Sequence, residues 1–373
     1  MKRIRILLVL LALIASPLPA RASEPFTVAA GGAVLIEDET GAVLFGQDEN
    51  RQLPMASTTK VMTALIALEN AELSDLVTAG KNASGVTGTS LYLSVGETLT
   101  MEQMLYGLML RSGNDAAVAI AEHVAGSVSA FADMMNSRAA ELGADAHYVN
   151  PHGLDAAGHR TSALGLALVM REAMKRQDFR RITGTRRKVI PWIGNEYSRV
   201  LENKNRLLRT YEGATGGKTG YTRRAGRCLV FSAERDGLSL IGAVLNCPTW
   251  FDTATVLLDY GFENFRMESA LSEGEAVVEL PVEGGLSETV TVVAAQPLRA
   301  AVHVGTAVQL GKALPKRLVA PVQAGQAVGS ARLLAGEKEL ARCELVAAAD
   351  VPRRSFAQSV RRLLKRWVLR FQQ

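Results

Sequence analysis

The sequence predicts an α+β catalytic domain, an antiparallel sheet flanked by helices, followed by a small all-β domain and a C-terminal amphipathic helix. Three observations carry this prediction. Up to residue 264, apolar runs of helical length alternate with hairpin signals. From 272 to 350 the pattern changes to short alternating runs separated by Gly and Pro, with no long helix pattern. From 353 to 373, Phe356, Val360, Leu363, Leu364, Trp367 and Phe371 recur at helical spacing, with arginines and lysines at most other positions.

Taken in order, Lys2, Arg3 and Arg5 precede the apolar run Ile6 to Ala15, and Ala20-Arg21-Ala22 follows. This is the layout of a secretory signal peptide over 1–22, cleaved after Ala22, and the run is too short for the roughly 20 residues a membrane span needs. The catalytic domain is expected over 23–264. Its first hairpin runs from Ala33 to Phe45 across Thr40-Gly41. Ser57 then opens Val61 to Leu68, a dense apolar run without Gly or Pro that predicts a buried helix. Thr100-Met101-Glu102-Gln103 fits a helix capping box, and Met104, Leu105, Leu108 and Met109 continue the apolar face to Arg111. Ser112-Gly113-Asn114 interrupts it, and Asp115 is expected to cap a helix from Ala116 to Val124. Lys218-Thr219-Gly220 leads into Gly226 to Ala233, the turn signal Asp236-Gly237 and Leu238 to Leu245, adjacent antiparallel strands. The all-β domain is expected over 272–350, with strands near 276–282, 289–293, 300–304, 317–322 and 341–346.

Ser57, Lys60, Ser112, Asn114 and Lys218 supply the parts of a serine acyl-transfer site. Residues i and i+3 share a helix face, so Lys60 can reach Ser57. A lysine acts as base only when burial or a nearby cation lowers its pKa, and Lys218 is the candidate cation. Ser112 and Asn114 on a turn between helices can project into a cleft. A cleft-lining strand through Lys218-Thr219-Gly220 can give a main-chain N–H opposite that of Ser57, completing an oxyanion hole.

Ser57-Thr58-Thr59-Lys60, Ser112-Gly113-Asn114 and Lys218-Thr219-Gly220, in that order, with the flanks Ala56 to Ala64, Arg111 to Ala117 and Gly216 to Thr222, strongly resemble the D-alanyl-D-alanine carboxypeptidases, the low-molecular-mass penicillin-binding proteins. The resemblance implies the penicillin-binding/β-lactamase-like fold. It also implies a Ser57 acyl-enzyme, inhibition by penicillins and other β-lactams, and removal of the terminal D-alanine from peptidoglycan stem pentapeptides. Ser112 would relay protons to the leaving amine, Asn114 would orient Lys60 and the substrate amide, and Tyr221 would give the second oxyanion N–H. Lys218 and Thr219 would hold the terminal carboxylate.

Three competitors share parts of this pattern. A β-lactamase needs a deacylating glutamate in an E-x-x-L-N context between the second and third motifs, and no such context occurs. A D,D-endopeptidase would share fold and motifs, and a non-catalytic penicillin-sensing or wall-binding module would lose turnover while retaining binding. Asn150-Pro151-His152-Gly153 reads as a structural turn near the cleft, and Asn203-Lys204-Asn205 as a run that lines the channel, with the role of Lys204 open. Trp192, Trp250 and the methionines of 101–109 read as core.

The chain has 42 Lys and Arg against 37 Asp and Glu, yet residues 353–373 hold seven basic residues and no acid. The basicity therefore suits an anchor on an anionic membrane surface rather than nucleic-acid binding, with packing on the protein's own domain as the alternative. Three cysteines, at 228, 247 and 343, exclude a disulfide scaffold and show no metal-ligand spacing, so no metal and no cofactor are expected. A two-residue turn at Asp236-Gly237 sets Cys228 opposite Leu245 and diagonal to Cys247; a register slip of two residues would pair the cysteines. Placement beyond the cytoplasmic membrane, on its periplasmic or wall side, is expected from the signal peptide.

Overall fold

The computed structural model describes residues 26–361, so the expected signal peptide and residues 362–373 of the expected C-terminal helix lie outside the described residues. The protein is mixed α+β, with a five-stranded antiparallel sheet in the order Val43–Gln47, Gly32–Glu37, Leu238–Leu245, Gly226–Arg235, Ala214–Thr222. Gly32–Glu37 is buried along its length, and its alternate residues serve different cores. Val34 and Ile36 join one with the helices Lys60–Asn70 and Ala163–Met174, whereas Ala33 and Leu35 join another with the helix Trp250–Asn264. The period of two in the strand thus builds a three-layer sandwich.

The turn Asp236-Gly237 has both residues at positive φ, 49° and 76°, and pairs Arg235 with Leu238. This two-residue turn fixes the register that sets Cys228 next to the Leu229–Val244 pair. Cys228 and Cys247 are free thiols in apolar surroundings, and Cys247 Sγ lies 3.3 Å from Thr253 Oγ1. The capping box at Thr100 forms as expected, with Gln103 answering it.

Two local expectations are corrected. Asp115 does not cap the following helix, which begins at Asn114 with Gly113 before it. Buried inside the first turn, the Asp115 carboxylate instead accepts from the amides of Leu91 and Leu93 and from Ser90 Oγ, anchoring a loop on the other side of the cleft wall. Trp192 is not core: it lies half-buried on a hairpin of Arg187–Ile190 and Arg199–Glu202, with the Arg199 guanidinium 4.9 Å from its ring.

Beyond the sandwich, Phe265–Leu271 pairs with Leu298–His303. A six-stranded sheet follows, in the order Gln309–Ala313, Ala327–Ala335, Lys338–Ala347, Thr289–Ala294, Ala276–Glu283, Leu318–Val319. Gln309–Ala313 and Ala327–Ala335 escape a reading of alternation because they bury few side chains and contain Gly, while the run at 317–322 shortens to Leu318–Val319. An Arg299–Glu39 ion pair links this part to the first hairpin. A helical turn begins at Phe356, capped by Ser355, and Phe356 is 85% exposed. No helix among the described residues is long and apolar enough to cross a membrane.

Candidate active site

The first motif straddles two kinds of helix. Ala56–Thr59 forms a single 3₁₀ turn, with Ala56 at φ 48°, and Lys60–Asn70 continues as α-helix. Hydrogen bonds hold the turn from within. Thr58 Oγ1 donates to the Met55 carbonyl at 2.6 Å, and Thr59 Oγ1 to the Ala56 carbonyl at 2.8 Å. His159 supports Thr59 from outside the motif. Its Nδ1 accepts from the Val149 N–H at 3.0 Å, so Nε2 carries the proton and donates to Thr59 Oγ1 at 2.8 Å. Burial, then the charge of His147, push the His159 pKa down to about 4, keeping the ring neutral.

The second motif follows a π-helical segment, Gly107–Arg111, whose extra residue per turn leaves Ser112 in the left-handed region at φ 70°. Beyond the break, Asn114 meets Lys60 of the first motif and Ser112 meets Lys218 of the third. Lys60 Nζ, fully buried, lies 3.0 Å from Ser57 Oγ, 2.7 Å from Asn114 Oδ1 and 2.6 Å from the His152 carbonyl. Three oxygens around Nζ satisfy an ammonium that donates to all of them; once the amine is neutral, its two N–H bonds serve Asn114 Oδ1 and the His152 carbonyl, and its lone pair can face the Ser57 hydroxyl. Burial, then the charges of Lys218 and Lys204, hold the Lys60 pKa well below the usual lysine value.

The third motif lies on the edge strand Ala214–Thr222. Lys218 is buried, donating to Ser112 Oγ at 3.0 Å and to the Thr219 carbonyl at 2.8 Å. Burial and the charge of Lys204 push its pKa down to about 7. Gly220 passes so close to the Ala56–Thr59 turn that a Cβ there would stand 2.9 Å from the amide nitrogens of both Ser57 and Thr58. Tyr221, next along, is 64% exposed. Gly153 is equally constrained: at φ 88°, a Cβ would meet the Ala56 carbonyl oxygen at 1.9 Å.

The fold therefore brings together Ser57, Lys60, Ser112, Asn114 and Lys218, with Thr219, Gly220 and Tyr221 on the strand beside them. Two contributions were missed from sequence: the His152 carbonyl, hidden because a main-chain atom has no residue signature, and His159, about 100 residues from the threonine it supports. No cluster of His, Cys, Asp and Glu among the described residues is arranged to hold a metal ion.

The family model for D-alanyl-D-alanine carboxypeptidases matches residues 19–249, more than half of the chain. The chain belongs to the D-alanyl-D-alanine carboxypeptidase family. A second family model, the C-terminal domain of penicillin-binding protein 5, matches residues 265–353. The D-alanyl-D-alanine carboxypeptidase DacF of Bacillus subtilis is 31% identical over 350 residues, covering 91% of this chain and 90% of that protein. DacD of Escherichia coli is 31% identical over 352 residues, 88% of each chain. Among solved structures, penicillin-binding protein 5 of Haemophilus influenzae superimposes with a TM-score of 0.77 at 27% identity, covering 88% of this chain and 99% of that one. This carboxypeptidase is an enzyme of peptidoglycan metabolism, of a family that acts on stem peptides, and its two-part α+β architecture is that of penicillin-binding protein 5.

Proposed function

We propose that this carboxypeptidase works through a Ser57 acyl-enzyme, with Lys60 as its base. The observation that carries this reading is the placement of a fully buried lysine Nζ, its pKa held down by burial and by Lys218, 3.0 Å from Ser57 Oγ. Ser57 Oγ attacks the carbonyl carbon between the two terminal D-alanines as its proton passes to Lys60 Nζ. The oxyanion forms between the main-chain amides of Ser57 and Tyr221, a pairing supported by the close approach of Gly220. The C–N bond then breaks as the proton held by Lys60 is relayed through Ser112 to the leaving amine, D-alanine departs, and water, giving its proton to the regenerated Lys60 amine, hydrolyses the ester. Lys218 supplies positive potential to the terminal carboxylate, which Thr219 meets directly; Lys204 adds to that potential. A β-lactam presents the same carbonyl and carboxylate and acylates Ser57.

The test uses the whole mature chain. It should release D-alanine from a diacetylated Lys-D-Ala-D-Ala peptide, and a penicillin label should map to Ser57; a label on any other residue overturns the assignment.

The two lysines predict a bell-shaped pH profile. With rising pH, kcat/KM should climb as Lys60 loses its proton, then fall as Lys218 loses the charge that attracts the carboxylate, with an alkaline midpoint near 7 in the free enzyme. A profile without the alkaline limb removes Lys218 from carboxylate recognition.

Residues 23–264 would form the catalytic domain, 272–350 the small β domain, and 353–373 an anchor that holds the enzyme on the wall side of an anionic membrane after export by 1–22. The exposed Phe356 at the start of the last helix supports the anchor. The chain from residue 23 should bind vesicles containing anionic lipid in a salt-sensitive way, and the chain ending at 354 should not; equal binding by both counts against an anchor at 353–373.

A further inference from the structure

Beside the turn that carries Ser112 and Asn114, a cavity of about 350 Å³ is lined by Ser90, Tyr92, Arg111, Trp192 and Ser198 among others. Arg111 directly precedes Ser112 and ends the π-helical segment. The cavity holds two arginines with opposite status. Arg199 has its whole fork engaged: both nitrogens of one edge meet Glu97, at 2.6 and 3.0 Å, and the remaining donors go to the carbonyls of Leu91, Pro191 and Tyr92. Glu97 is thereby neutralised. Arg111 has no acceptor among the described residues and is exposed. Its guanidinium adds, after desolvation, to the forces that lower the Lys204 pKa, which sets two unmatched cations together at the rim.

The direction of the cavity follows from its neighbours. Lys204 acts on Lys218, and Ser112 is the proton donor to the leaving amine in the mechanism above. Next to Ser112 in the chain and lining the cavity, Arg111 falls, on the mechanism above, on the leaving-group side, beyond the terminal carboxylate of a D-Ala-D-Ala substrate. D-alanine has nothing that reaches it.

We propose that Arg111 and this cavity form a leaving-group subsite for a residue larger than alanine that carries a second carboxylate. Resting on the Ser57 reading, the subsite makes the enzyme accept acidic C-terminal residues, the planar guanidinium pairing with the side-chain carboxylate while Tyr92 and Trp192 wall the aliphatic stem. The chemistry is unchanged: the acyl group goes to Ser57, and the bulkier amino acid takes the proton and leaves.

Two size-matched peptides isolate the charge, diacetyl-Lys-D-Ala-D-Glu and diacetyl-Lys-D-Ala-D-Gln. The wild-type chain should favour the D-Glu peptide in kcat/KM by about tenfold, the scale of one charge-assisted pair. In Arg111→Gln that ratio should fall to about one, and Arg111→Lys should keep part of it. The ratio is the readout, so a general loss of activity cancels. A wild-type ratio of one or below overturns the proposal, as does a ratio that survives in Arg111→Gln. Competition of the two peptides against a fluorescent penicillin compares their apparent affinities, and the same preference for the D-Glu peptide should appear there and vanish in Arg111→Gln. Failure to release D-alanine from the D-Ala-D-Ala peptide would instead strike the function, leaving the competition to decide the subsite.

Discussion

Ser57→Ala is expected to abolish D-alanine release and penicillin labelling together, since loss of the serine nucleophile from an acyl-transfer site costs about 10⁶-fold in kcat. Lys60→Gln should retain the serine and lose its activation. Glutamine can still donate to Asn114 Oδ1 or the His152 carbonyl, but it offers no basic lone pair to the Ser57 proton. Acylation should slow by about 10³-fold, within the range for a positioned general base. The same variant should be no less stable than wild type near neutrality. Lys60 titrates far below the usual lysine value in the fold and near that value in the unfolded chain, so between the two the unfolded chain binds more protons. Stability of the wild type therefore rises with pH across that window, and the variant, lacking the group, should lose its relative advantage as pH climbs towards 10.5. A Lys60→Gln protein that acylates normally would dismiss lysine as the base. One that melts below wild type at neutral pH would show that the buried amine contributes more through its contacts than burial costs it.

The clustering of Ser57, Lys60, Ser112, Asn114 and Lys218 was legible because each enters through its side chain, in short motifs whose spacing the sequence displays. The strands of the central sheet were legible for a similar reason: Gly32–Glu37 and Leu238–Leu245 are mostly apolar, and the Asp236-Gly237 turn fixes the register between Gly226–Arg235 and Leu238–Leu245. What escaped is what main-chain atoms and long-range pairs supply. The His152 carbonyl that completes the Lys60 environment leaves no mark on residue identity. Asp115 had the composition of a helix cap, yet the loop at 90–93 competes for its carboxylate more effectively than its own helix does. In the second sheet, exposed strands such as Gln309–Ala313 carry too little burial to impose a period.

The same distinction between local and distant partners bears on Arg199. Its ion pair with Glu97 spans 102 residues, both side chains are almost wholly buried, and the guanidinium also ties the carbonyls of Leu91 and Tyr92 to the hairpin that carries it. Arg199→Met should cost about 3–5 kcal/mol, since it leaves Glu97 as a buried charge without its partner. Replacing both, Arg199→Met with Glu97→Met, should recover much of that loss but not all, because the carbonyls of Leu91, Tyr92 and Pro191 would still lack the donor they had. The unrecovered part should appear as function. Ser90, Leu91 and Leu93 hang from Asp115, and Asn114 Nδ2 and its backbone N–H bond the carbonyls of Thr87 and Thr89, so a loosened loop disturbs the residue that orients Lys60. Chemical denaturation of the single and double variants, alongside penicillin acylation rates, separates the two effects. A double variant as unstable as Arg199→Met alone would show that the carbonyl contacts, rather than the ion pair, hold the loop in place.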